Sequence, residues 1–116
     1  MVRITREMAQ SLGLDVKAEN KHKSQITTVD GIKFRSKKEA YYYQKLKMVK
    51  QEGNLSYFLR QVPIYLPGNV KYVVDFVEFW KDGRIRYVDT KGRRLPAYIR
   101  NKKQVEALYP IKIEEA

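Results

Sequence analysis

Asp75, Asp89 and Lys91 are the residues of this sequence whose types and spacing best suit chemistry. They lie in the stretch VVDFVEFWKDGRIRYVDTKG, which predicts two apolar strands joined by a short hairpin loop. Two carboxylates that face each other on paired strands repel unless a cation lies between them, and oxygen ligands select Mg²⁺ or Mn²⁺ rather than zinc. Lys91 shares the face of Asp89 and could orient a water molecule or stabilise charge on a phosphate. These residue types suit metal-assisted hydrolysis of a phosphodiester.

The pairing register of the two strands decides whether these residues meet, because strand side chains alternate between faces. A two-residue loop at 82–83 places Asp75 opposite Thr90, whereas a three-residue loop at 81–83 places Asp75 opposite Asp89. The second register gathers all three charges at one end of an otherwise apolar face, so we favour it. The opposite face then carries a mixed set of side chains: Tyr72, Val74, Phe76, Glu78, Trp80, Arg84, Arg86, Val88 and Thr90.

The elements that must position these residues are predicted from turn signals, helix caps and periodicity. Asp30-Gly31 predicts a hairpin turn, and Ser36 and Gly53 are suited to the two ends of a helix. The predicted order is a hairpin (26–34), a helix (36–53), strands (57–66, 72–80 and 84–91), a helix (96–109) and a last strand (111–113). This order predicts an α/β fold in which two helices flank one small mixed sheet.

The N-terminal region is predicted to differ from the rest of the chain. Residues 5–12 could form a short helix, and the polar stretch 15–25 predicts an irregular basic segment. We therefore expect a basic N-terminal arm at 1–25, partly mobile, and one domain at 26–116.

The composition narrows the class of partner. Lys and Arg number 24 against 13 Asp and Glu, a net charge of +11 that favours nucleic acid over anionic membrane. There is no cysteine and no apolar run of membrane-spanning length, so we expect no membrane partner and a cytoplasmic location. The charge alone also fits a basic ribosome-associated protein.

Asp75 followed by Asp89-Thr90-Lys91 on the next strand resembles the signature of the PD-(D/E)xK nuclease superfamily. Residues 27–113, with TTVDGIKFRSKKEAYYYQKLK and VDTKG, resemble a group of small phage-encoded endonucleases within it. The resemblance implies that Asp75, Asp89 and the Thr90 carbonyl bind Mg²⁺, that Lys91 assists the attacking water and that Glu39 completes the site. It also implies a PD-(D/E)xK-like core and, for a phage protein, the host-cell cytoplasm. Val74 departs from the pattern, since it stands where the name-giving proline would be.

Each of these acids also has a purely structural interpretation. Asp75 could be a buried acid paired with an arginine, and Asp89 and Lys91 could form an ion pair at the end of a strand. Glu39 stands three residues after Ser36, which is the spacing of a capping box. An acid-x-Lys triplet carries little weight alone, because it also occurs at 15–17 and 19–21.

We therefore predict a Mg²⁺-dependent DNA endonuclease, with Mn²⁺ able to substitute. The resemblance implies branched DNA such as a Holliday junction as the substrate, and a nick at a replication or packaging intermediate is equally compatible. We expect cleavage of two strands to require a homodimer. The predicted catalytic residues are Glu39, Asp75, Asp89 and Lys91, and Gln61 on the preceding strand is expected to point towards them. The predicted phosphate contacts are Lys37, Lys38, Arg93, Arg94, Arg100, Lys102 and Lys103. The alternative is a non-catalytic, basic nucleic-acid-binding protein.

Overall fold

The computed structural model describes residues 15–19, 25–90 and 94–116. The chain divides into two units, Met1–Met48 and Val49–Ala116. The described elements are β1 Asp15–Glu19, β2 Gln25–Val29, β3 Ile32–Phe34, α1 Lys37–Gln51, β4 Leu55–Leu66, β5 Val70–Trp80, β6 Ile85–Asp89, α2 Pro96–Leu108 and β7 Ile113–Glu115. The chain therefore has a mixed α/β fold, as its sequence predicts.

The first unit contains a three-stranded antiparallel sheet in the order β1-β2-β3. Asp30 and Gly31 join β2 to β3 with φ values of 53° and 76°, the conformation that a two-residue type I′ hairpin requires. The Asp30 carboxylate accepts a hydrogen bond from the Tyr43 hydroxyl at 3.0 Å and forms an ion pair with Lys47. The hydrogen bond from Lys47 lowers the pKa of Asp30, and the one from Tyr43 adds to the effect. These contacts fasten the turn to α1.

Helix α1 begins where the sequence predicts. The Ser36 hydroxyl oxygen accepts a hydrogen bond from the Glu39 backbone N–H at 3.1 Å, which is an N-cap contact. Ala40, Tyr43 and Leu46 are buried along one stripe of the helix. Neither α1 nor α2, the helices of the described ranges, is long and apolar enough to cross a membrane.

The sheets differ from the prediction in number. The sequence predicts one sheet, but β2 and β3 pair with β1 in a sheet of their own. β1 falls in the stretch predicted to be irregular, because three of its five residues are charged and charged residues are uncommon in strands. The short helix predicted at 5–12 lies outside the described residues, and the predicted boundary between an arm, 1–25, and a domain, 26–116, stays a prediction.

The second unit contains the mixed sheet, in the order β4-β5-β6-β7. β4, β5 and β6 are antiparallel neighbours, whereas β7 runs parallel to β6. Parallel neighbours require a crossover connection, and α2 supplies it between β6 and β7. The core of this unit is formed by residues from the sheet and α2: Ile64, Leu66, Tyr72, Val74, Val77, Val105 and Ile113.

The β5–β6 hairpin has the three-residue loop that the sequence favours. Gly83 has φ +94°, and its N–H donates to the Trp80 carbonyl at 3.1 Å. The Trp80 N–H in turn donates to the Arg84 carbonyl at 2.9 Å. Phe76 consequently pairs with Val88, which is the predicted register.

An ionic row crosses three strands of this sheet at Glu78, Arg86 and Glu114. Glu78 is fully buried, and it accepts hydrogen bonds from the Trp80 indole at 2.9 Å and from Arg86 at 3.4 Å. Arg86 also contacts both carboxylate oxygens of Glu114, at 2.9 and 3.0 Å, and lowers the pKa of that residue. Arg86 therefore offsets the cost of burying Glu78.

Replacing Arg86 with alanine should destabilise the protein by about 2 kcal/mol, because it removes a charged partner from a buried carboxylate. Urea denaturation of the Arg86→Ala variant measures this change. Arg84→Ala is the matched control, since its ion pair with Asp82 is exposed and should contribute little. Equal stability of the two variants would contradict the role given to Arg86.

Candidate functional site

Asp75 and Asp89 come together in the second unit through the register of β5 and β6. Phe76 pairs with Val88, so the next position along the hairpin sets Asp75 opposite Asp89. The two acids are 6% and 0% exposed, which is rare for aspartate. The Asp75 backbone N–H donates to Asp89 Oδ1 at 3.0 Å, so the two residues are in direct contact.

The Asp75 carboxylate is held by two neighbours. Its Oδ2 atom accepts hydrogen bonds from the Thr90 backbone N–H at 2.9 Å and from the Thr90 hydroxyl at 3.0 Å. Its Oδ1 atom accepts one from the Gln61 side-chain amide at 3.3 Å. Gln61 is thus placed at Asp75, as expected from its position on the preceding strand. These contacts fix the plane of the carboxylate.

The Asp89 carboxylate is held by Tyr72, a residue that no motif in the sequence marks as part of the site. The Tyr72 hydroxyl donates to Asp89 Oδ2. Burial raises the pKa of Tyr72, and the hydrogen bond and charge of Asp89 raise it further, so the hydroxyl stays protonated as a donor. The ring of Tyr72 also stacks on Tyr98, with the ring centroids 6.1 Å apart.

Tyr72 was expected on the face of β5 opposite Asp75 and Asp89, and this expectation is wrong. The core positions of β5 are Tyr72, Val74 and Val77, so their spacing changes from two residues to three within the strand. A change of parity between Val74 and Val77 breaks the regular alternation on which the expectation depended. The hydroxyl of Tyr72 can therefore lie at Asp89.

Tyr98 extends the tyrosine contacts towards the end of β7. Its hydroxyl donates to the Glu115 carboxylate at 3.0 Å. Burial raises the pKa of Tyr98, and the hydrogen bond to Glu115 contributes in the same direction. Glu115 also lies 3.3 Å from Arg94 and 4.0 Å from Lys102.

Two oriented carboxylates on adjacent residues of paired strands have the chemistry of a site for a hard divalent cation. Mg²⁺ is commonly bound by one or two carboxylates together with water, and metal-binding carboxylates are usually oriented by further hydrogen bonds. A carboxylate has about four lone-pair sites, so one that accepts two or three hydrogen bonds can also ligate a cation. The donor set at Asp75 and Asp89 fits Mg²⁺ or Mn²⁺ on these grounds. Within the described ranges, no group of three or more His, Cys, Asp and Glu side chains is placed to hold a metal.

The other predicted members of the site have different outcomes. Thr90 is buried and contacts Asp75 through its N–H and its hydroxyl. Lys91 and Arg93 lie outside the described residues, so their roles stay predictions. Glu39 lies in the first unit and is 7% exposed. Its backbone N–H makes the cap contact with Ser36, and a role in metal binding stays a prediction alongside that structural one.

The predicted phosphate contacts lie on both helices and on the segment before α2. Lys37 and Lys38 are half-buried in the first turn of α1. Arg94, Arg100 and Lys103 are exposed, as a DNA contact requires, whereas the Lys102 side chain is only 18% exposed.

The profile of a family described as a protein of unknown function, DUF1064, matches residues 19–114. The chain belongs to the DUF1064 family. The matched region includes both aspartates of the site and every described strand and helix from β2 to α2. No curated protein and no solved structure is significantly similar to this DUF1064 chain.

Replacing Tyr72 with phenylalanine should destabilise this DUF1064 protein by about 2 kcal/mol, since the buried Asp89 carboxylate loses a hydrogen-bond donor. Chemical denaturation measures the loss. Tyr65→Phe is the control, because Tyr65 is the most exposed of the large apolar side chains in the described part of the chain, at 66%. A Tyr72→Phe variant as stable as the wild type would show that the hydroxyl does not support Asp89.

Proposed function

We propose that this protein is a metal-dependent DNA endonuclease whose site is centred on Asp75 and Asp89. The observation that carries the proposal is the contact between these two buried acids across β5 and β6. Burying two neighbouring carboxylates is costly, and a divalent cation between them would offset both the desolvation and the repulsion. The resemblance of Asp75 and Asp89-Thr90-Lys91 to the PD-(D/E)xK signature supports the same proposal.

Each residue of the proposed site has a distinct task. Asp75, Asp89 and the Thr90 carbonyl would hold Mg²⁺, or Mn²⁺ in its place. A bound cation of this kind acts as a Lewis acid and lowers the pKa of a water ligand. Lys91 would orient the attacking water and stabilise charge on the phosphate. Tyr72 and Thr90 keep the two carboxylates in position through the hydrogen bonds described above.

The proposed substrate is DNA recognised through its backbone. A net charge of +11 favours a polyanion, and affinity should fall steeply as salt increases. The sequence contains no motif for reading bases, which favours recognition of DNA shape, and the resemblance points to branched DNA such as a Holliday junction. The exposed cations Arg94, Arg100 and Lys103 are suited to phosphate contacts. Cleavage of both strands would require two copies of the chain, acting in the host cytoplasm if a phage encodes it.

The direct test is cleavage of plasmid, linear, single-stranded and four-way-junction DNA with Mg²⁺, Mn²⁺ or EDTA. Asp75→Asn and Lys91→Ala should each lower the rate by at least about 100-fold, because each removes a group that acts at the transition state. Asp82→Asn is the matched control, since it removes an exposed acid from the loop at the opposite end of the hairpin.

Metal-dependent cleavage that is lost in both site variants and kept in the control is the expected result. Binding of DNA without cleavage in either metal would contradict the proposal. It would leave the protein as a non-catalytic, basic nucleic-acid-binding protein.

Glu39 is tested separately, because a capping role and a metal-binding role respond differently to one substitution. Glu39→Gln preserves a capping box, in which Glu and Gln are interchangeable, but it removes the negative charge. We expect this variant to keep the wild-type melting temperature and to lose about 10-fold or more in cleavage rate. A variant that is as active as the wild type would restrict Glu39 to the helix cap.

A further inference from the structure

Gln61 has a backbone conformation that its place in the fold does not require. Its φ is +52° in the interior of β4, where an extended conformation is the rule. The other positive-φ residues that are not glycine in the described part of the chain are Asp30 and Asn69. Both lie in turns between strands, where such a φ is useful and where Asp and Asn tolerate it well. Among the described strands, Gln61 is therefore the one non-glycine residue with a positive φ.

The strand pairing continues on both sides of Gln61. Arg60 pairs with Phe76 and Val62 pairs with Val74, so the register is the same before and after the strained residue. The position of Gln61 in this register is opposite Asp75, and its amide lies 3.3 Å from Asp75 Oδ1. The strained φ therefore occurs at the one residue of β4 that lies opposite Asp75, a proposed metal ligand.

Burial does not account for the strain, because Gln61 is exposed whereas Asp75 is buried. An exposed amide gains little free energy from packing, and rare backbone conformations are concentrated at functional sites. The group that faces the carboxylate must be the side-chain NH₂, since the amide oxygen is only an acceptor. Gln61 on β4 and Thr90 after β6 consequently hold the two oxygens of Asp75 from the two sides of β5.

We propose that Gln61 is a positioning residue, which orients the Asp75 carboxylate towards a bound divalent cation. This inference rests on the proposed nuclease function. Gln61 acts through Asp75 and sets how tightly the cation is held. The strained backbone is then a cost to stability that serves the site.

The test is a Gln61→Gly variant, which relieves the positive φ and removes the amide in one change. We expect an equal or higher melting temperature, together with a rise of about 10- to 100-fold in the Mn²⁺ concentration for half-maximal cleavage. Saturating Mn²⁺ should restore much of the rate to this variant and none to Asp75→Asn. Asn69→Gly relieves a similar φ of +60° in the β4–β5 turn and should leave the Mn²⁺ dependence unchanged.

Two results would overturn the inference. One is a Gln61→Gly variant with wild-type Mn²⁺ dependence. The other is a Gln61→Gly variant that melts at a lower temperature but whose cleavage, corrected for the fraction of folded protein, depends on Mn²⁺ as the wild type does. That result would make Gln61 purely structural. Both results require that the wild type is active and that Asp75→Asn inactivates it. If the wild type and Asp75→Asn are equally inactive, the proposed function itself fails, and the role of Gln61 fails with it.

Discussion

The pairing register of the β5–β6 hairpin is the constraint on which the rest of the candidate site depends. The loop at 81–83, with Gly83 at positive φ, sets Phe76 opposite Val88 and brings Asp75 to Asp89. A shift of one residue would turn every side chain of one strand to the other face and would separate the two acids. The same register pairs Glu78 with Arg86, so one turn determines both the proposed chemistry and part of the stability of the sheet.

Hydrogen bonds within the protein hold both acids of the candidate site in place. Hydrogen bonds from Thr90, Gln61 and Tyr72 reach the two carboxylates from β4, β5 and the end of β6. Such bonds lower the cost of burying a carboxylate, and they also fix the direction in which its oxygens can ligate. A site on strands that are paired on both sides is more rigid than one on loops, which suits chemistry that requires close positioning.

Local signals in the sequence predicted much of this fold. Asp30-Gly31 predicted the first hairpin, Ser36 predicted the start of α1 and Gly83 predicted the bulged loop, because each signal depends on a few neighbouring residues. Longer-range features could not be predicted in this way. The strand β1 is rich in charged residues, which are uncommon in strands. The hydroxyl of Tyr72 meets Asp89 only because the parity of β5 changes, and the strained φ of Gln61 leaves no mark on the sequence. The pair of acids at the centre of the site was found because register alone brings them together.

The central claim is that Asp75 and Asp89 bind one divalent cation between them. Titration of the protein with Mn²⁺, followed by the loss of the electron paramagnetic resonance signal of free Mn²⁺, measures this binding without reference to cleavage. We predict one Mn²⁺ bound per chain in the wild type, and at least about 10-fold weaker binding in Asp89→Asn, which removes a ligand charge while keeping the side-chain shape. Equal Mn²⁺ binding by the wild type and Asp89→Asn, or no binding by either, would contradict the account.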